Sequence, residues 1–185
     1  MNCEQQLRVR KLLQNEAVDS FDCGDEDLNE FIMKEAVLYK RALLAVSYVV
    51  EDIKTGEVLA YFSLANDRVS LSDFENKTEF NRFRKHRFIN EKRLKSYPAG
   101  KVCRLGVDLS AKGMYIGSYL IDFIKSYFIT DNKTGCRFLT VDAYADAIPF
   151  YLKNNFIPLN DDDKDSTTRL LFFDLSNIVD EDIDD

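Results

Sequence analysis

The residues best suited to bind an anion lie in the stretch 112–118, KGMYIGS. This stretch contains Gly113 and Gly117 and leads into apolar residues at helical spacing, so it predicts a loop that opens a helix. Backbone N–H groups in the first turn of a helix have no partner within it, and the helix dipole places partial positive charge there. Glycines let a phosphate approach these N–H groups closely. The pattern therefore favours a phosphate site, although turn and packing glycines would also produce it.

The elements on either side of this loop are predicted from their side chains. Residues 102–107 are apolar and β-branched enough for a strand buried on both faces. After the loop, an apolar residue recurs every four positions at Ile116, Leu120, Ile124 and Phe128, which is typical of an amphipathic helix. The unit is not a P-loop, which ends in Gly-Lys-Ser/Thr, nor a dinucleotide fingerprint, which needs three glycines.

A second motif follows downstream. Residues 137–143, RFLTVDA, predict another buried strand, and Asp146 can cap the helix that follows. In AIPFYLKNNF, that helix carries Phe150 and Tyr151 ahead of Phe156. On pattern alone, Tyr151 could simply be a core residue that packs this helix onto the sheet.

These segments occur in the same order as motifs of the GNAT superfamily of N-acetyltransferases, which they resemble. RLGVD at 104–108 is similar to the family strand RLAVD, KGMYIG to the loop Q/R-x-x-G-x-G/A, and AIPFYLKNNF to A-x-x-F-Y-x-x-x-G-F. Three positions depart from the family pattern. Lys112 replaces Gln or Arg but keeps the charge, and Asn155 replaces a glycine with a residue that accepts a left-handed conformation. Tyr115 replaces the first motif glycine, which is tolerable only if its ring points outward and its backbone needs no positive φ.

The resemblance implies an α+β fold, with a mixed, mostly antiparallel central sheet of about six to seven strands and helices on both faces. It implies direct transfer of an acetyl group from acetyl-CoA, the co-substrate, to a primary amine in a ternary complex, without a metal. Main-chain groups of 105–107 would pair with the pantetheine arm, and 112–118 would hold the pyrophosphate. The coenzyme-binding residues implied are Leu105, Gly106, Val107, Lys112, Gly113, Met114, Tyr115, Ile116, Gly117 and Ser118.

The resemblance also assigns a role to Tyr151. By its match to A-x-x-F-Y, its phenol would protonate the departing thiolate as general acid, which a group with a pKa near ~10 can do. The base is left open among Asp142, Tyr144, Asp146 and an ordered water, because no spacing selects one of them.

The N-terminal half adds a weaker likeness to acetyltransferase toxins of bacterial toxin–antitoxin operons. FDCGDEDLNEFI and GEVLAYFSLA resemble their opening helix and central hairpin. This makes the α-amine of an aminoacyl-tRNA one candidate acceptor. A homodimer is a candidate assembly, and the sequence does not reveal whether an antitoxin partner exists. The other readings are a non-catalytic module that binds the coenzyme and an unrelated α/β interaction domain. The acceptor is not predictable, because acceptor pockets are built from variable loops.

Composition predicts one domain over residues 1–185, with no membrane span and a cytoplasmic location. The chain is 45% hydrophobic and 31% charged, which is ordinary for a globular chain. It has no apolar run of about 18 residues, and its N-terminus lacks the apolar region of a secretion signal. Its four cysteines are too far apart in sequence for a metal or redox pair: Cys3, Cys23, Cys103 and Cys136.

Charge is distributed unevenly along the chain. Residues 77–104 contain ten Lys or Arg and two acids, Glu79 and Glu91, in a protein with a net charge of −7. The segment predicts either a basic face for RNA or coenzyme phosphates, or a solvated helix whose phenylalanines pack inward. We expect a basic insertion at about 73–100 and an acidic tail at about 176–185.

The remaining elements follow from pattern. We predict strands at 6–13, 44–51, 58–64 and 169–175, of which the second and third form a hairpin. Asp25 or Asp27 can cap a helix, and residues 65–100 are expected to be less regular.

Overall fold

The computed structural model describes residues 6–130 and 134–181. Its strands are β1 Leu7–Lys11, β2 Val46–Asp52, β3 Val58–Ser70, β4 Ser96–Val107, β5 Phe138–Tyr144, β6 Ile157–Pro158 and β7 Thr168–Asp174. Its α-helices are α1 Glu26–Glu30, α2 Ala36–Arg41, α3 Lys77–Arg87, α4 Ile116–Thr130, α5 Ile148–Lys153 and α6 Ser176–Glu181. A π-helical turn at Phe31–Glu35 joins α1 to α2, and short 3₁₀ turns lie at Leu71–Asp73, Asn90–Lys92 and Leu109–Ala111.

The strands form one mixed sheet in the order β1-β2-β3-β4-β5-β7-β6. The pairs β1–β2, β2–β3, β5–β7 and β6–β7 are antiparallel. The pair β4–β5 is parallel, with a register that covers Ala99–Lys101 on β4. This architecture, with its flanking helices, confirms the predicted α+β fold and its mostly antiparallel sheet.

Contacts within the described chain separate into two compact units. The first consists of residues 6–65 and 102–124. Asp25 caps α1 by accepting a hydrogen bond from the N–H of Leu28 at 3.0 Å, which settles the choice between the two predicted caps. The core of this unit is apolar and consists of Leu12, Val18, Phe21, Phe31, Ile32, Ala36, Val49 and Tyr61.

The second unit consists of residues 66–101, 125–130 and 134–181, and its core is aromatic. It contains Val69, Phe74, Phe80, Phe83, Tyr97, Ala99, Phe138, Leu159 and Phe172. The Phe83 ring lies 5.6 Å from Phe138 and 5.5 Å from Phe172, and the partly buried Phe88 stacks on Tyr97 at 4.1 Å. The aromatic residues of the basic segment therefore pack inward, as one of the two readings of that segment predicted.

Close packing in the second unit extends to the end of α4. A Cβ atom at Gly100 would lie 2.5 Å from Cζ of Phe128, far inside any normal contact. A glycine on β4 is therefore what allows the α4 aromatic ring to lie against the strand.

Two local predictions were wrong. Residues 65–100 are mostly regular, because β3 continues to Ser70, Asn76 caps α3 through the N–H groups of Thr78 and Glu79, and β4 begins at Ser96. Asp146 does not cap α5. The N-cap residue is Ala147, which has no side chain that could accept a hydrogen bond. A proline in the first turn favours the start of the helix at this point.

Some predictions concern residues beyond those that the structure describes. Cys3 and the last four residues of the predicted acidic tail lie outside the described ranges, while the start of that tail forms α6. The single domain over 1–185 stays a prediction. Within 6–130 and 134–181, no helix combines the length and the apolar character that a membrane span requires.

Candidate functional site

The loop predicted to hold phosphate begins at an anchored aspartate. The Asp108 carboxylate accepts hydrogen bonds from the Ser110 N–H at 2.9 Å and from the Ser110 hydroxyl at 2.7 Å. Its other oxygen accepts from the backbone N–H of Asp22 at 2.9 Å. The chain is further fixed where the Leu109 N–H donates to the Asp22 carbonyl at 2.8 Å. These bonds hold the 3₁₀ turn Leu109–Ala111 in one position directly before the loop.

The same bonds determine the charge of Asp108. Burial opposes ionisation of the carboxyl, but the hydrogen bonds from the Asp22 backbone and from Ser110 outweigh it and hold the pKa of Asp108 below its ordinary value. Asp108 is therefore an ionised structural anchor at neutral pH.

The loop itself takes two left-handed residues in close succession. Gly113 has φ +84° and Tyr115 has φ +58°. We expected the backbone of Tyr115 to avoid positive φ, and this expectation was wrong. The condition that its ring should point outward is confirmed, since the residue is 76% exposed. The chain thus carries an exposed aromatic side chain on a left-handed backbone position, where residues other than glycine are uncommon.

Helix α4 begins directly after Tyr115 and presents its first turn beside the loop. Ile116, Leu120 and Ile124 are buried and fix the helix to the core. Gly117 and Ser118 are half-buried, whereas Lys112, Gly113 and Met114 are exposed. The stretch 112–118 contains no acidic residue, and a Cβ atom at Gly113 would meet no other atom within 4 Å. Open space, one lysine and first-turn amides are features that fit a phosphate group.

The end of β4 has a packing role that sequence reasoning missed. A Cβ atom at Gly106 would lie 2.9 Å from Cε1 of Tyr61 and 3.2 Å from Cε1 of Phe21. Tyr61 is itself fixed, because its hydroxyl donates to the Leu28 carbonyl at 2.8 Å. Gly106 is therefore required by its neighbours, and no local pattern in the sequence signals this.

Tyr151 lies in α5 and belongs to the second unit, whereas residues 105–118 belong to the first. Its ring packs edge-on against Phe150 at 5.1 Å and Phe156 at 5.5 Å, and the residue is only 6% exposed. Its hydroxyl forms no hydrogen bond with any residue in the described ranges. Burial raises the pKa of Tyr151, so its phenol stays protonated. Asn155, just after α5, has φ +65°, which confirms that asparagine takes the left-handed position here.

The three side chains considered as bases differ in their surroundings. Asp142 forms an ion pair with Lys101. Tyr144 and Asp146 are exposed. These surroundings select none of them as the base.

Other candidate sites are weak. Cys23, Cys103 and Cys136 form no disulfide among the described residues. Ligand atoms of Glu75, Glu79 and Asp162 lie within 4.8 Å of one another, an arrangement that exposed acidic groups also adopt without a metal.

Known proteins resemble this chain in structure. No protein-family model matches its sequence. No curated protein sequence matches it either. A crystal structure of a tyrosine-to-phenylalanine mutant of KacT superposes with a TM-score of 0.72 at 22% identity, covering 95% of this chain and 99% of that one.

Two structures of AtaT are similar in the same way. AtaT complexed with acetyl-methionyl-tRNAfMet gives a TM-score of 0.70 at 23% identity, covering 94% of this chain and 97% of that one. The second is a tyrosine-to-phenylalanine mutant of the AtaT toxin, bound to the C-terminus of the antitoxin AtaR and acetyl-CoA. It gives a TM-score of 0.66 at 23% identity, covering 93% of this chain and 95% of that one. These likenesses establish the fold, which is the GNAT fold that the sequence motifs implied.

Proposed function

We propose that this protein transfers an acetyl group from acetyl-CoA to a primary amine by direct transfer in a ternary complex. The observation that carries the proposal is the loop 112–118. Asp108 anchors its start, Gly113 and Tyr115 give it left-handed backbone, and the first turn of the 15-residue helix α4 follows it. The AtaT structure that contains acetyl-CoA supports the same co-substrate for this chain.

The coenzyme-binding residues act mainly through their backbone. The N–H groups of 116–118, in the first turn of α4, would donate to the pyrophosphate, and Lys112 would add a positive charge. The Met114 N–H already donates to the Ala111 carbonyl at 3.3 Å. Leu105, Gly106 and Val107 follow the part of β4 whose register with β5 is defined, so their main-chain groups can pair with the pantetheine arm in the manner of an added strand. One of these N–H groups would polarise the acetyl carbonyl.

Tyr151 is the proposed general acid. When the amine attacks the thioester carbonyl, the C–S bond breaks and the sulfur leaves as a thiolate that needs a proton. Tyr151 carries its proton at neutral pH, because burial raises the pKa of its phenol, and its hydroxyl has no hydrogen-bond partner in the described chain. The proton is therefore present for the thiolate, although the same burial makes the phenol a weaker acid. The two mutants named above replace a tyrosine with phenylalanine, the substitution that would test Tyr151 here.

Calorimetry with acetyl-CoA tests the coenzyme site. Gly117→Glu places a bulky negative side chain where the pyrophosphate would bind, so we expect binding to be lost. Gly135→Glu is the matched control, because Gly135 is exposed and has open space around its Cα. Undiminished binding by Gly117→Glu would refute the assignment of the loop.

Thiol release from acetyl-CoA, screened over polyamines, peptides and charged tRNAs, tests the reaction. Turnover with any amine supports the transferase. Binding without turnover on any acceptor would favour the second reading, a coenzyme-binding module without catalysis.

A more specific acceptor is favoured by one comparison. The solved complex of AtaT with acetyl-methionyl-tRNAfMet supports a toxin-like reaction here, in which the α-amine of an aminoacyl-tRNA is acetylated. An antitoxin partner is proposed on the same basis, from the AtaT structure that contains the AtaR C-terminus. The test compares charged tRNA with the free amino acid: acetylation of the charged tRNA alone supports this reading, and equal rates contradict it.

A further inference from the structure

A cavity of about 650 Å³ lies entirely within the second unit. Three walls enclose it: the end of β3 with the turn that follows, one face of α3, and the start of β4. Its lining residues are Arg68, Ser70, Leu71, Ser72, Lys77, Phe80, Asn81, Arg84, Lys95 and Ser96. The volume falls within the range of about 300–1,000 Å³ that is usual for ligand sites.

The charge of this cavity has one sign. Four of its lining residues are cations and none is acidic, although the whole chain has a net charge of −7. The side chains of Arg68, Lys77 and Lys95 are exposed and form no hydrogen bond or ion pair with any residue in the described ranges. Several other cations of the basic segment do have such partners: Arg87 pairs with Asp174, Lys101 with Asp142. Three cations whose side chains have no partner in the described chain thus line one concave place.

The spacing along α3 shows how far the positive charge extends. Lys77, Phe80, Asn81 and Arg84 follow the i, i+3, i+4, i+7 pattern and so share one face of the helix. Lys77 and Arg84 are seven residues apart, which is about 10 Å along a helix axis. Two linked phosphates span this separation without the two side chains converging, so the row of cations suits linked phosphates better than a single phosphate group.

Two buried polar atoms in the wall lack partners. Arg84 is held by a bond from Nη1 to the Leu94 carbonyl at 3.0 Å and lies over the Phe80 ring at 5.3 Å. Its Nε and the Oδ1 of Asn81 are buried and have no hydrogen bond. Such atoms are rare in folded proteins. The Arg84 Nε is a donor that a phosphate oxygen can accept from, whereas the Asn81 Oδ1 is an acceptor and calls for a water or another donor.

We propose that this cavity binds a chain of phosphates, either the backbone of a single-stranded nucleic acid or a free polyphosphate. Arg68, Lys77 and Lys95 contact successive phosphate groups, and Arg84 is fixed in the wall as the fourth cation. The proposal does not rest on acetyl transfer, because its probes are neither acetyl donors nor amine acceptors.

The experiment uses two triple variants with the same change of charge. The cavity variant replaces Arg68, Lys77 and Lys95 with Gln. The control variant replaces Arg82, Lys85 and Lys92 with Gln; these cations are exposed in the same segment and do not line the cavity. Circular dichroism confirms that both variants fold.

Fluorescence anisotropy of a labelled single-stranded RNA of about eight nucleotides then measures affinity from about 50 to 200 mM salt. Each lost contact with a single strand lowers the slope of log K against log salt by about 0.7, so the cavity variant is expected to lose about 2 in slope. We expect its affinity at low salt to fall at least tenfold and that of the control variant to fall much less. Equal loss in both variants would overturn the proposal.

Tripolyphosphate, measured by calorimetry and by competition, separates the two sources of phosphate. RNA that binds much more tightly than tripolyphosphate, with both lost in the cavity variant, indicates a nucleic acid as the natural ligand. Binding of tripolyphosphate alone, lost in the cavity variant, indicates a free polyphosphate. If the wild-type protein binds neither probe at low salt, the proposal is wrong.

Discussion

The carboxylate of Asp108 accepts a hydrogen bond at 2.9 Å from the backbone N–H of Asp22, which lies 86 residues earlier in the chain. Together with the bond from the Leu109 N–H to the Asp22 carbonyl, it fixes the turn after β4 to the N-terminal part of the first unit. The loop 112–118 therefore starts from a defined position, so the proposed coenzyme would lose less binding free energy in ordering it.

Replacing Asp108 with Asn is expected to lower the free energy of unfolding by about 1–2 kcal/mol, because an amide has only one acceptor oxygen for three donors. Urea unfolding measures the change. Asp19→Asn is the matched control, since the exposed Asp19 makes no hydrogen bond within the described residues. Equal stability of the two variants would show that Asp108 is no anchor.

The loss in Asp108→Asn should also depend on pH. The pKa of Asp108 is lowered in the folded protein and about 3.9 in an unfolded chain. A lowered folded pKa contributes stability that is present above the unfolded value and is lost as the pH falls through the folded value. The difference in free energy of unfolding between wild type and Asp108→Asn is thus largest near neutral pH and decreases below about pH 4. A difference that grew on acidification would contradict the sign of this pKa shift.

Tyr115→Gly should be more stable than Tyr115→Ala by about 1 kcal/mol, the reverse of the usual order of glycine and alanine. Both variants lose the same side-chain contacts, so their difference isolates the cost of φ +58°. We also expect Tyr115→Gly to bind acetyl-CoA at least as tightly as wild type. Denaturant unfolding and calorimetry measure the two effects, and a more stable alanine variant would contradict the first.

Gly106→Ala is expected to lower the free energy of unfolding by about 1–3 kcal/mol through overpacking, because the new methyl group meets Tyr61 and Phe21. Gly135→Ala serves as control. Position 135 is open, so alanine there should be neutral or slightly stabilising. Thermal unfolding of the two variants provides the comparison, and similar midpoints would rule out the steric requirement.

Tyr151→Phe should lower turnover by about 10²-fold with little change in acetyl-CoA affinity, because it removes the proposed proton and keeps the ring. Tyr39→Phe, which removes a hydroxyl from a partly exposed ring of α2, should leave turnover unchanged. Since burial raises the pKa of Tyr151, the wild-type rate should not fall as the pH approaches ~10, the ordinary phenol value. Unchanged turnover in Tyr151→Phe would show that Tyr151 only packs against its neighbours and is not the general acid.

What the sequence could predict depended on local patterns. The four-residue spacing of Ile116, Leu120 and Ile124 predicted α4 correctly, and the motif order predicted the sheet. The left-handed backbone of Tyr115 was missed, because residue type argued against it and only the surrounding loop imposes it. The requirement for Gly106 was missed as well, since it arises from rings that are distant in sequence. Asp146 was misassigned as a cap because proline placement, not a side-chain acceptor, sets the start of α5.

The close approach of Phe128 to Gly100 has a consequence for finding distant relatives of this chain. Any chain that keeps this packing must keep a residue without a side chain at position 100 or exchange the aromatic ring of α4 for something smaller. The two positions should therefore change together in evolution. That paired constraint comes from steric fit, so an alignment of relatives can be checked for it even where the rest of the sequence has diverged.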